Sequence, residues 1–217
     1  MDRVLEPEVM DTAQEAKDYD AMDHGEVNRR FVDDLLALCP EPKHVVDVGT
    51  GTALIPIELC RRHAKVHVVA TDLADHMLAL ARKNVARAGF ADRLELEKVD
   101  AKSSGLPPGA FDVVMSNSII HHIPDPARAF AKMIELRKRG GLLFVRDLER
   151  PLDDAAARAL VERYAKDETP RARDLFEASL RAALTLDEVV AMVAPLGVPP
   201  SAITRTSDRH WTLAHRA

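Results

Sequence analysis

Short apolar runs alternate with amphipathic stretches from residue 44 to residue 145. Five runs have the length and composition of strands, namely 44–48 (HVVDV), 66–71 (VHVVAT), 94–99 (LELEKV), 111–116 (FDVVMS) and 142–145 (LLFV). The stretches between most of them carry apolar residues at helical spacing. Nearly continuous apolar strands separated by helices build parallel sheets with both faces covered. The pattern therefore predicts a doubly wound α/β fold, with a mostly parallel sheet of about seven strands.

Polar and glycine residues indicate where several helices begin and end. Asp125 followed by Pro126 predicts an N-cap and a proline in the first helical turn. Gly89 is expected to end the helix that follows the second strand, because glycine readily adopts the left-handed conformation of a C-cap. By the same argument, Gly140 and Gly141 are expected to end the helix that begins near Asp125.

The flanks of this central pattern are mostly helical. A Thr12–Glu15 capping box opens the first of two N-terminal helices, and a Thr185–Glu188 capping box opens a helix near the other end. Residues 152–184 have helical periodicity interrupted at 169–170, while 202–206 and 210–215 can form closing strands. We expect one domain over 1–217, divided into N-terminal lid helices (1–40), a ligand-binding core (43–150), a helical substrate-side insertion (151–200) and closing strands (201–217).

Composition and charge narrow the classes of function. The formal net charge is −5 and the sequence pI is about 6.0, which disfavours nucleic acid as a partner. No apolar stretch is long enough to span a membrane, and the N-terminal residues lack the pattern of a signal peptide. Cys39 and Cys60 stand in no metal-ligand spacing. We expect a cytoplasmic protein without membrane insertion or bound metal, and the sequence carries no signal for an oligomeric state.

Glycines and acids follow the predicted strands, where doubly wound folds bind their ligands. Gly49 and Gly51 come after the first strand, so the backbone there can pass close to a ligand. The nicotinamide fingerprint GxGxxG needs a glycine where the chain has Leu54, and the chain has no Gly-Lys pair for a phosphate-binding P-loop. The same edge carries acids at 47, 72 and 100, which suit a ligand with hydroxyls, an amine and positive charge. Each acid could also be a helix cap or a solvated turn residue.

These segments resemble the class I S-adenosylmethionine-dependent methyltransferases, particularly the small-molecule type similar to the methyltransferases of ubiquinone and menaquinone biosynthesis. The motifs VVDVGTGTA (45–53), ATDLADHML (70–78), KVDA (98–101), FDVVMSNSIIHHIPDPARAF (111–130) and RGGLLFV (139–145) occur in the family's order and spacing. The family's third glycine is Ala53 here. The resemblance implies a Rossmann-like fold and methyl transfer from S-adenosyl-L-methionine to a small molecule, with S-adenosyl-L-homocysteine as the product.

The resemblance also implies cofactor-binding roles. Asp47 would hold the methionine ammonium, Asp72 the ribose hydroxyls and Asp100 the adenine amine. Around these acids, the glycine loop would pass under the methionine and the other residues would line the pocket. The complete set is Tyr19, Asn28, Asp47, Gly49, Thr50, Gly51, Thr52, Asp72, Leu73, Asp100, Ala101 and Asn117.

Catalysis by in-line displacement requires alignment of the reacting groups and exclusion of water. A base is needed only if the acceptor must lose a proton, and the candidates for it are His121 and His122. Of the two, His121 is expected to face the methyl group, because it lies one helical turn after Asn117. The pair could instead pack and fix its loop. Tyr19 is expected at the edge of the sulfonium.

Substrate contacts are expected after the fifth strand and near the C-terminus, at Arg146, Asp147, Asp208, His210 and Trp211. Two other functions remain open at this stage. Asp72 would serve a nicotinamide-dependent oxidoreductase equally well, although Leu54 disfavours that cofactor. A protein that binds S-adenosylmethionine without catalysing transfer would carry the same binding residues.

Overall fold

A seven-stranded sheet forms the centre of the computed structural model, which describes residues 1–6, 12–21 and 25–216 apart from the side chains at 15, 19 and 21. The strands are β1 (His44–Val48), β2 (His67–Asp72), β3 (Leu94–Lys98), β4 (Phe111–Asn117), β5 (Arg137–Leu148), β6 (Ile203–Arg205) and β7 (His210–Arg216). Their order is β3-β2-β1-β4-β5-β7-β6, with β1 to β5 parallel and β7 antiparallel to both neighbours. The predicted doubly wound, mostly parallel sheet is confirmed.

Helices cover both faces of the sheet. They are α1 (Ala13–Ala21), α2 (Gly25–Leu38), α3 (Leu54–Arg62), α4 (Asp75–Ala88), α5 (Pro126–Leu136), α6 (Asp154–Tyr164), α7 (Pro170–Ala182) and α8 (Leu186–Val193), with 3-10 turns at Ile120–His122, Ala194–Leu196 and Pro200–Ala202. The core on one face joins α2, α3 and α4 to the sheet, and the core on the other face joins α5 and α8. Among the described residues, no helix combines the length and apolar character needed to cross a membrane.

The strand order places a topological switch point between β1 and β4. From β1 the chain proceeds outward through β2 to β3, and it then returns to β4 on the opposite side of β1. Both central strands are buried, as Val46 and Val114 illustrate. Ligands of doubly wound sheets bind beyond the carboxyl ends of the strands at such a point. The residues after β1 and β4 are therefore positioned to form a site.

Several predicted helix boundaries are confirmed. Gly89 adopts φ 77° as the C-cap of α4, and Thr185 and Glu188 form the predicted capping box of α8. The predicted interruption near residue 169 is also present, since the Thr169 side chain caps α7. Asp125 occupies the N-cap position of α5, but its side chain makes no capping hydrogen bond.

The prediction that Gly140 and Gly141 end a helix is wrong. Helix α5 ends at Leu136, and the chain enters β5 directly at Arg137. The two glycines lie inside the strand, next to an irregular register between β4 and β5. A Cβ at Gly141 would come within 2.9 Å of the carbonyl oxygens of Asp112 and Lys138. Glycine is therefore needed there for close packing of backbone within the sheet.

Candidate cofactor and acceptor site

The turn after β1 passes close to neighbouring chain segments. The N–H groups of Gly49 and Thr50 both donate to the Thr71 carbonyl at 2.8 Å, and Gly49 and Gly51 have φ angles of 75° and 57°. A Cβ at Gly49 would lie 2.4–2.9 Å from three atoms of the Ile119 side chain. Because a side chain at Gly49 would be both strained and obstructed, the loop keeps a bare backbone at the switch point.

Asp72 is fixed at the end of β2 by backbone hydrogen bonds. Its Oδ2 accepts from the Gly51 N–H at 2.8 Å, and its Oδ1 accepts from the Ala74 N–H at 2.9 Å. A carboxylate offers about four lone-pair positions, so a group oriented in this way can also accept from ligand hydroxyls. The contacts couple the acid to the glycine loop, which explains why the two motifs meet although they are distant in sequence.

A cleft opens at this edge of the sheet, with about 820 Å³ of empty space including solvent at its mouth. Seven predicted cofactor-binding residues line it, namely Gly49, Gly51, Asp72, Leu73, Asp100, Ala101 and Asn117. The sequence interpretation missed several other lining residues. These are Ala74, Met77, Val99, Lys102, Ser118, Ile119 and Ile123. The apolar members of this set give the cleft walls suited to the flat faces of a ring.

A smaller cavity of about 320 Å³ lies beside the cleft and shares Gly49 and Asn117 with it. It is lined by four more predicted residues, Asn28, Asp47, Thr50 and Thr52, and by Leu54 and Ile55, which the sequence interpretation missed. Eleven of the twelve predicted cofactor-binding residues therefore line one of two adjoining cavities. The side chain of the twelfth, Tyr19 on α1, lies outside the described part of the structure.

Asp47 gives the smaller cavity an unusual electrostatic character. The side chain is buried, with 2% of the residue exposed, and burial raises the pKa of its carboxyl to about 7. The nearby Thr50 side chain opposes this rise in pKa, and the negative charge of Asp72 adds to the rise. A cationic ligand group beside Asp47 would stabilise the ionised carboxylate. The geometry therefore suits an ammonium.

Thr52 provides an independent sign of a polar ligand in the same cavity. The residue is 1% exposed, and its hydroxyl has no hydrogen-bond partner within the described part of the chain. An unpaired buried hydroxyl costs about 1–3 kcal/mol, and a bound polar group would relieve that cost. Nearby, the Asn84 side chain donates to the Thr52 carbonyl at 3.1 Å and to Asp20 Oδ1 at 2.8 Å. Asn84, which sequence reasoning missed, thereby connects α1 to the glycine loop.

Asp100 lies at the opposite end of the cleft. Burial tends to raise the pKa of its carboxyl, but the backbone N–H and the ammonium of Lys102 outweigh burial and lower that pKa. Oδ1 accepts from the Lys102 N–H at 2.8 Å, and Lys102 Nζ lies 3.0 Å from the same oxygen. The acid is therefore an ionised hydrogen-bond acceptor at neutral pH. Its place beside Ala101 suits an exocyclic amine.

The two adjacent histidines face in different directions, and the orientation expected for them is reversed. His121 is 3% exposed and does not line the cleft, whereas His122 does. In a 3-10 turn of three residues, neighbours project about 120° apart, so both cannot face the same cavity. The expected role of His121 at the cleft is therefore wrong, and His122 is the histidine that borders the cleft.

Asp147 explains the inward orientation of His121. Its Oδ1 lies 2.5 Å from His121 Nδ1, and its Oδ2 accepts from the N–H of Ile120 at 2.5 Å. Burial by itself would lower the pKa of His121 and raise that of Asp147, but their mutual attraction reverses both effects. Asp147 therefore anchors the turn after β4, rather than lying at the cleft as a substrate contact.

The other predicted substrate residues also lie away from the two cavities. The Arg146 guanidinium carbon lies 5.6 Å from the ring centres of both Phe31 and Phe144, and the guanidinium donates to Asp34 Oδ2 at 2.7 Å. Trp211 is completely buried in the core. Their position follows from β7, which pairs with β5 from Leu142 to Leu148 and covers its edge.

His210 and Asp208 are engaged near the turn between β6 and β7. His210 Nδ1 lies 2.8 Å from the Ser207 hydroxyl, and burial lowers the pKa of the imidazole to about 4. Asp208 accepts hydrogen bonds from Tyr164 and Arg163 at the surface. Neither residue lines the two cavities. Across the ranges the structure describes, no three His, Cys, Asp or Glu side chains are grouped to hold a metal ion.

Comparison with known proteins gives a consistent family. Residues 46–145 match the model of a methyltransferase domain. The chain is 36% identical over 135 residues to demethylmenaquinone methyltransferase of Thermus thermophilus, covering 62% of this chain and 59% of that protein. It is 33% identical over 131 residues to malonyl-[acyl-carrier protein] O-methyltransferase of Geobacter sulfurreducens, covering 58% and 47%. The chain thus spans about half the length of these curated relatives.

A solved structure extends the likeness in fold to the whole chain. A methyltransferase from Methanococcus maripaludis, described as S-adenosyl-L-methionine-dependent, superposes with a TM-score of 0.72 at 17% identity, covering 100% of this chain and 98% of that one. At that identity the superposition shows the fold, and the domain match covers the region that contains the glycine loop and the acids. Residues 46–145 are therefore similar to a methyltransferase domain, within a chain that has the fold of that solved structure.

Proposed function

We propose that this chain binds S-adenosylmethionine across the two adjoining cavities and transfers its methyl group to a small-molecule acceptor. The observation that carries the proposal is the convergence of eleven predicted cofactor-binding residues on two cavities that share Gly49 and Asn117. A ligand that spans both cavities must be elongated, with an ammonium at one end and a hydroxylated, ring-bearing part at the other. S-adenosylmethionine has that distribution of groups.

The proposed contacts follow from the chemistry of each group. Asp47, with the Thr52 hydroxyl nearby, would hold the ammonium, and the bare backbone of Gly49 would lie against the methionine chain. Asp72 would accept from both ribose hydroxyls, because its carboxylate is already oriented by the glycine loop. Asp100 and the Ala101 N–H would recognise the adenine edge. Each of these roles is a proposal for its residue.

The chain contributes alignment and exclusion of water to the reaction. The bound cofactor supplies a methyl group made electrophilic by the sulfonium to which it is attached. Asn117 and Gly49, which border both cavities, would fix the position of that methyl group. The apolar side chains of Ile119 and Ile123 on the cleft wall would exclude water from it. Such positioning can supply a large part of the acceleration of an in-line displacement.

A small acceptor is supported by the shape and charge of the molecule. The site is a concave cleft rather than an open surface, as is typical of sites for small ligands. The net charge of −5 gives no general attraction for nucleic acid. We therefore propose a small organic molecule as the acceptor.

Titration calorimetry of the full chain with S-adenosylhomocysteine, S-adenosylmethionine and NADH tests the binding part of this proposal. We expect micromolar-scale binding of both sulfur nucleosides and markedly weaker binding of NADH. Tighter binding of NADH would reject the proposal. Methyl transfer is tested by incubating the protein with labelled S-adenosylmethionine and candidate small molecules, and by measuring label in the product. Binding without transfer to any acceptor would identify a cofactor-binding protein instead.

A further inference from the structure

Residues 1–6 are fastened across the turn that contains the two histidines. Arg3 donates to the carbonyl oxygens of His121 and Ile123, both at 3.1 Å, and to that of Ala182 at 2.6 Å. The N–H of Val4 donates to the Arg181 carbonyl at 3.1 Å. These contacts join α7 and the 3-10 turn through one arginine. The first residues of the chain therefore form part of the wall behind the cleft.

Glu6, at the end of this segment, lies against the histidine that lines the cleft. Its Oε2 is 3.1 Å from His122 Nδ1, and the two side chains are only 10% and 18% exposed. Burial by itself would raise the pKa of Glu6, but the adjacent His122 imidazole and the Ser179 side chain outweigh burial and lower it. Glu6 is therefore ionised at neutral pH. His122 Nδ1 is buried beside this carboxylate without an aligned hydrogen bond to it, and His122 lines the cleft.

We propose that Glu6 and His122 form a proton-accepting pair for an acceptor hydroxyl, in which Glu6 holds the proton on Nδ1 and leaves Nε2 free to take the acceptor's proton. The proposal rests on the methyl transfer proposed above and adds the class of acceptor to it. His122 is the catalytic residue in this scheme. Glu6 is a positioning residue, since it acts through the imidazole.

The step balances without any further reactant. The acceptor oxygen forms a bond to the methyl carbon, the carbon–sulfur bond breaks with its electron pair left on sulfur, and the hydroxyl proton moves to Nε2. Solvent later takes that proton from His122. Glu6 stays ionised throughout and stabilises the imidazolium that forms, as expected for a carboxylate paired with a catalytic histidine.

A hydroxyl acceptor is the class that such a pair serves best. A carboxylate acceptor has no proton to lose, and an amine can attack as its free base. A phenolic hydroxyl has a pKa near that of tyrosine, about 10, so it needs a base at neutral pH. The wall residues Ile119 and Ile123, which flank the histidine turn in the sequence, are apolar and suit the ring of a phenol. The geometry therefore favours a small aromatic molecule with a hydroxyl.

The charged groups around His122 come from three segments. Glu6 and Arg3 belong to the N-terminal segment. His121 comes immediately before His122 in the 3-10 turn, and the centres of the two imidazole rings are 4.1 Å apart. Asp147 of β5 contacts His121 in turn. His121 and Asp147 form a similar pair that faces the core instead of the cleft. The turn thus holds two carboxylate–imidazole pairs, and only that of His122 borders the cleft.

Nitrogen NMR of the histidine rings tests the pairing without any turnover. The full chain is labelled with ¹⁵N, saturated with S-adenosylhomocysteine at pH 8, and compared with Glu6→Gln and with Glu41→Gln, a matched change at an exposed glutamate. We expect His122, assigned from the spectrum of His122→Gln, to be protonated at Nδ1 and unprotonated at Nε2. Glu6→Gln should change that signal and Glu41→Gln should not. A proton on Nε2, or a His122 signal unchanged by Glu6→Gln, would overturn the pairing.

Turnover is then measured with catechol, 4-nitrocatechol and 4-hydroxybenzoate as probes. His122→Gln should lower kcat about 100-fold, and Glu6→Gln should lower kcat about 10-fold, with KM for cofactor within a few-fold. The Glu6→Asp variant should recover part of the loss, and the acidic limb of the kcat profile should move in Glu6→Gln. Full activity of His122→Gln, or no methylation of any probe by protein that binds S-adenosylhomocysteine, would overturn this inference alone. Failure to bind S-adenosylhomocysteine would overturn the proposed function itself.

Discussion

Replacement of Asp72 by alanine is the most direct test of how the cleft recognises its ligand. Two ribose hydroxyls would lose a charged acceptor, and hydrogen bonds to charged groups contribute about 1.5–3 kcal/mol each. Water can replace part of this interaction in an open cleft, so we expect a loss of about 2–4 kcal/mol. The dissociation constant of S-adenosylhomocysteine should therefore rise about 30- to 1,000-fold.

The same substitution has a separate effect on folding. The N–H groups of Gly51 and Ala74 donate to Asp72, and both lose their acceptor in the variant. Each lost partner should cost about 1 kcal/mol, so we expect the free energy of unfolding to fall by roughly 1–2 kcal/mol. Urea unfolding in the absence of ligand measures this cost directly. Calorimetry is then performed at a temperature where the variant is folded.

Two further variants separate charge from shape. Asp72→Asn retains one acceptor oxygen and nearly the same volume, so its loss of affinity should be about 10-fold and smaller than that of Asp72→Ala. Asp92→Ala removes an exposed carboxylate outside both cavities and should leave affinity unchanged. If folded Asp72→Ala binds S-adenosylhomocysteine as tightly as the wild type does, then Asp72 does not bind the ribose.

Three other residues give predictions about stability, each measurable by unfolding of the ligand-free protein. Because the pKa of Asp47 is raised to about 7, stability should fall by about 3 kcal/mol between pH 4 and pH 7 as the buried carboxyl ionises, and Asp47→Asn should abolish that fall. Asp147→Asn should lower the free energy of unfolding by about 3–5 kcal/mol. This loss should be smaller in acid, because the depressed pKa of Asp147 makes its stabilising effect disappear as the carboxylate is protonated. A loss below about 1 kcal/mol would contradict the anchoring role of Asp147. Ala53 has φ 64°, so Ala53→Gly should stabilise the protein by roughly 0.5–1 kcal/mol, and destabilisation would show that its methyl group matters more than its backbone strain.

Local patterns predicted those features of the fold and site that depend on neighbouring residues. The strands follow from short apolar runs, and the glycine loop with its acids follows from their positions just after strands. The direction of His121 could not be predicted in this way, because its partner Asp147 is 26 residues away on another strand. The contact of Glu6 with His122 is more distant still in sequence. Such side-chain orientations are decided by packing between elements, about which periodicity carries no information.

The balance of charge in the two cavities is a further reason to expect a sulfonium cofactor rather than a dinucleotide. Among the described residues that line the cavities, Lys102 is the one lysine or arginine, and it is paired with Asp100. Asp47 and Asp72 add two further carboxylates to this lining. A unit charge about 6 Å from a carboxylate is worth roughly 3 kcal/mol at an effective dielectric constant of about 20. A pyrophosphate would incur that penalty, whereas an ammonium and a sulfonium would gain from the same field, so we expect the acids to favour the proposed cofactor by its charge as well as by its hydroxyls.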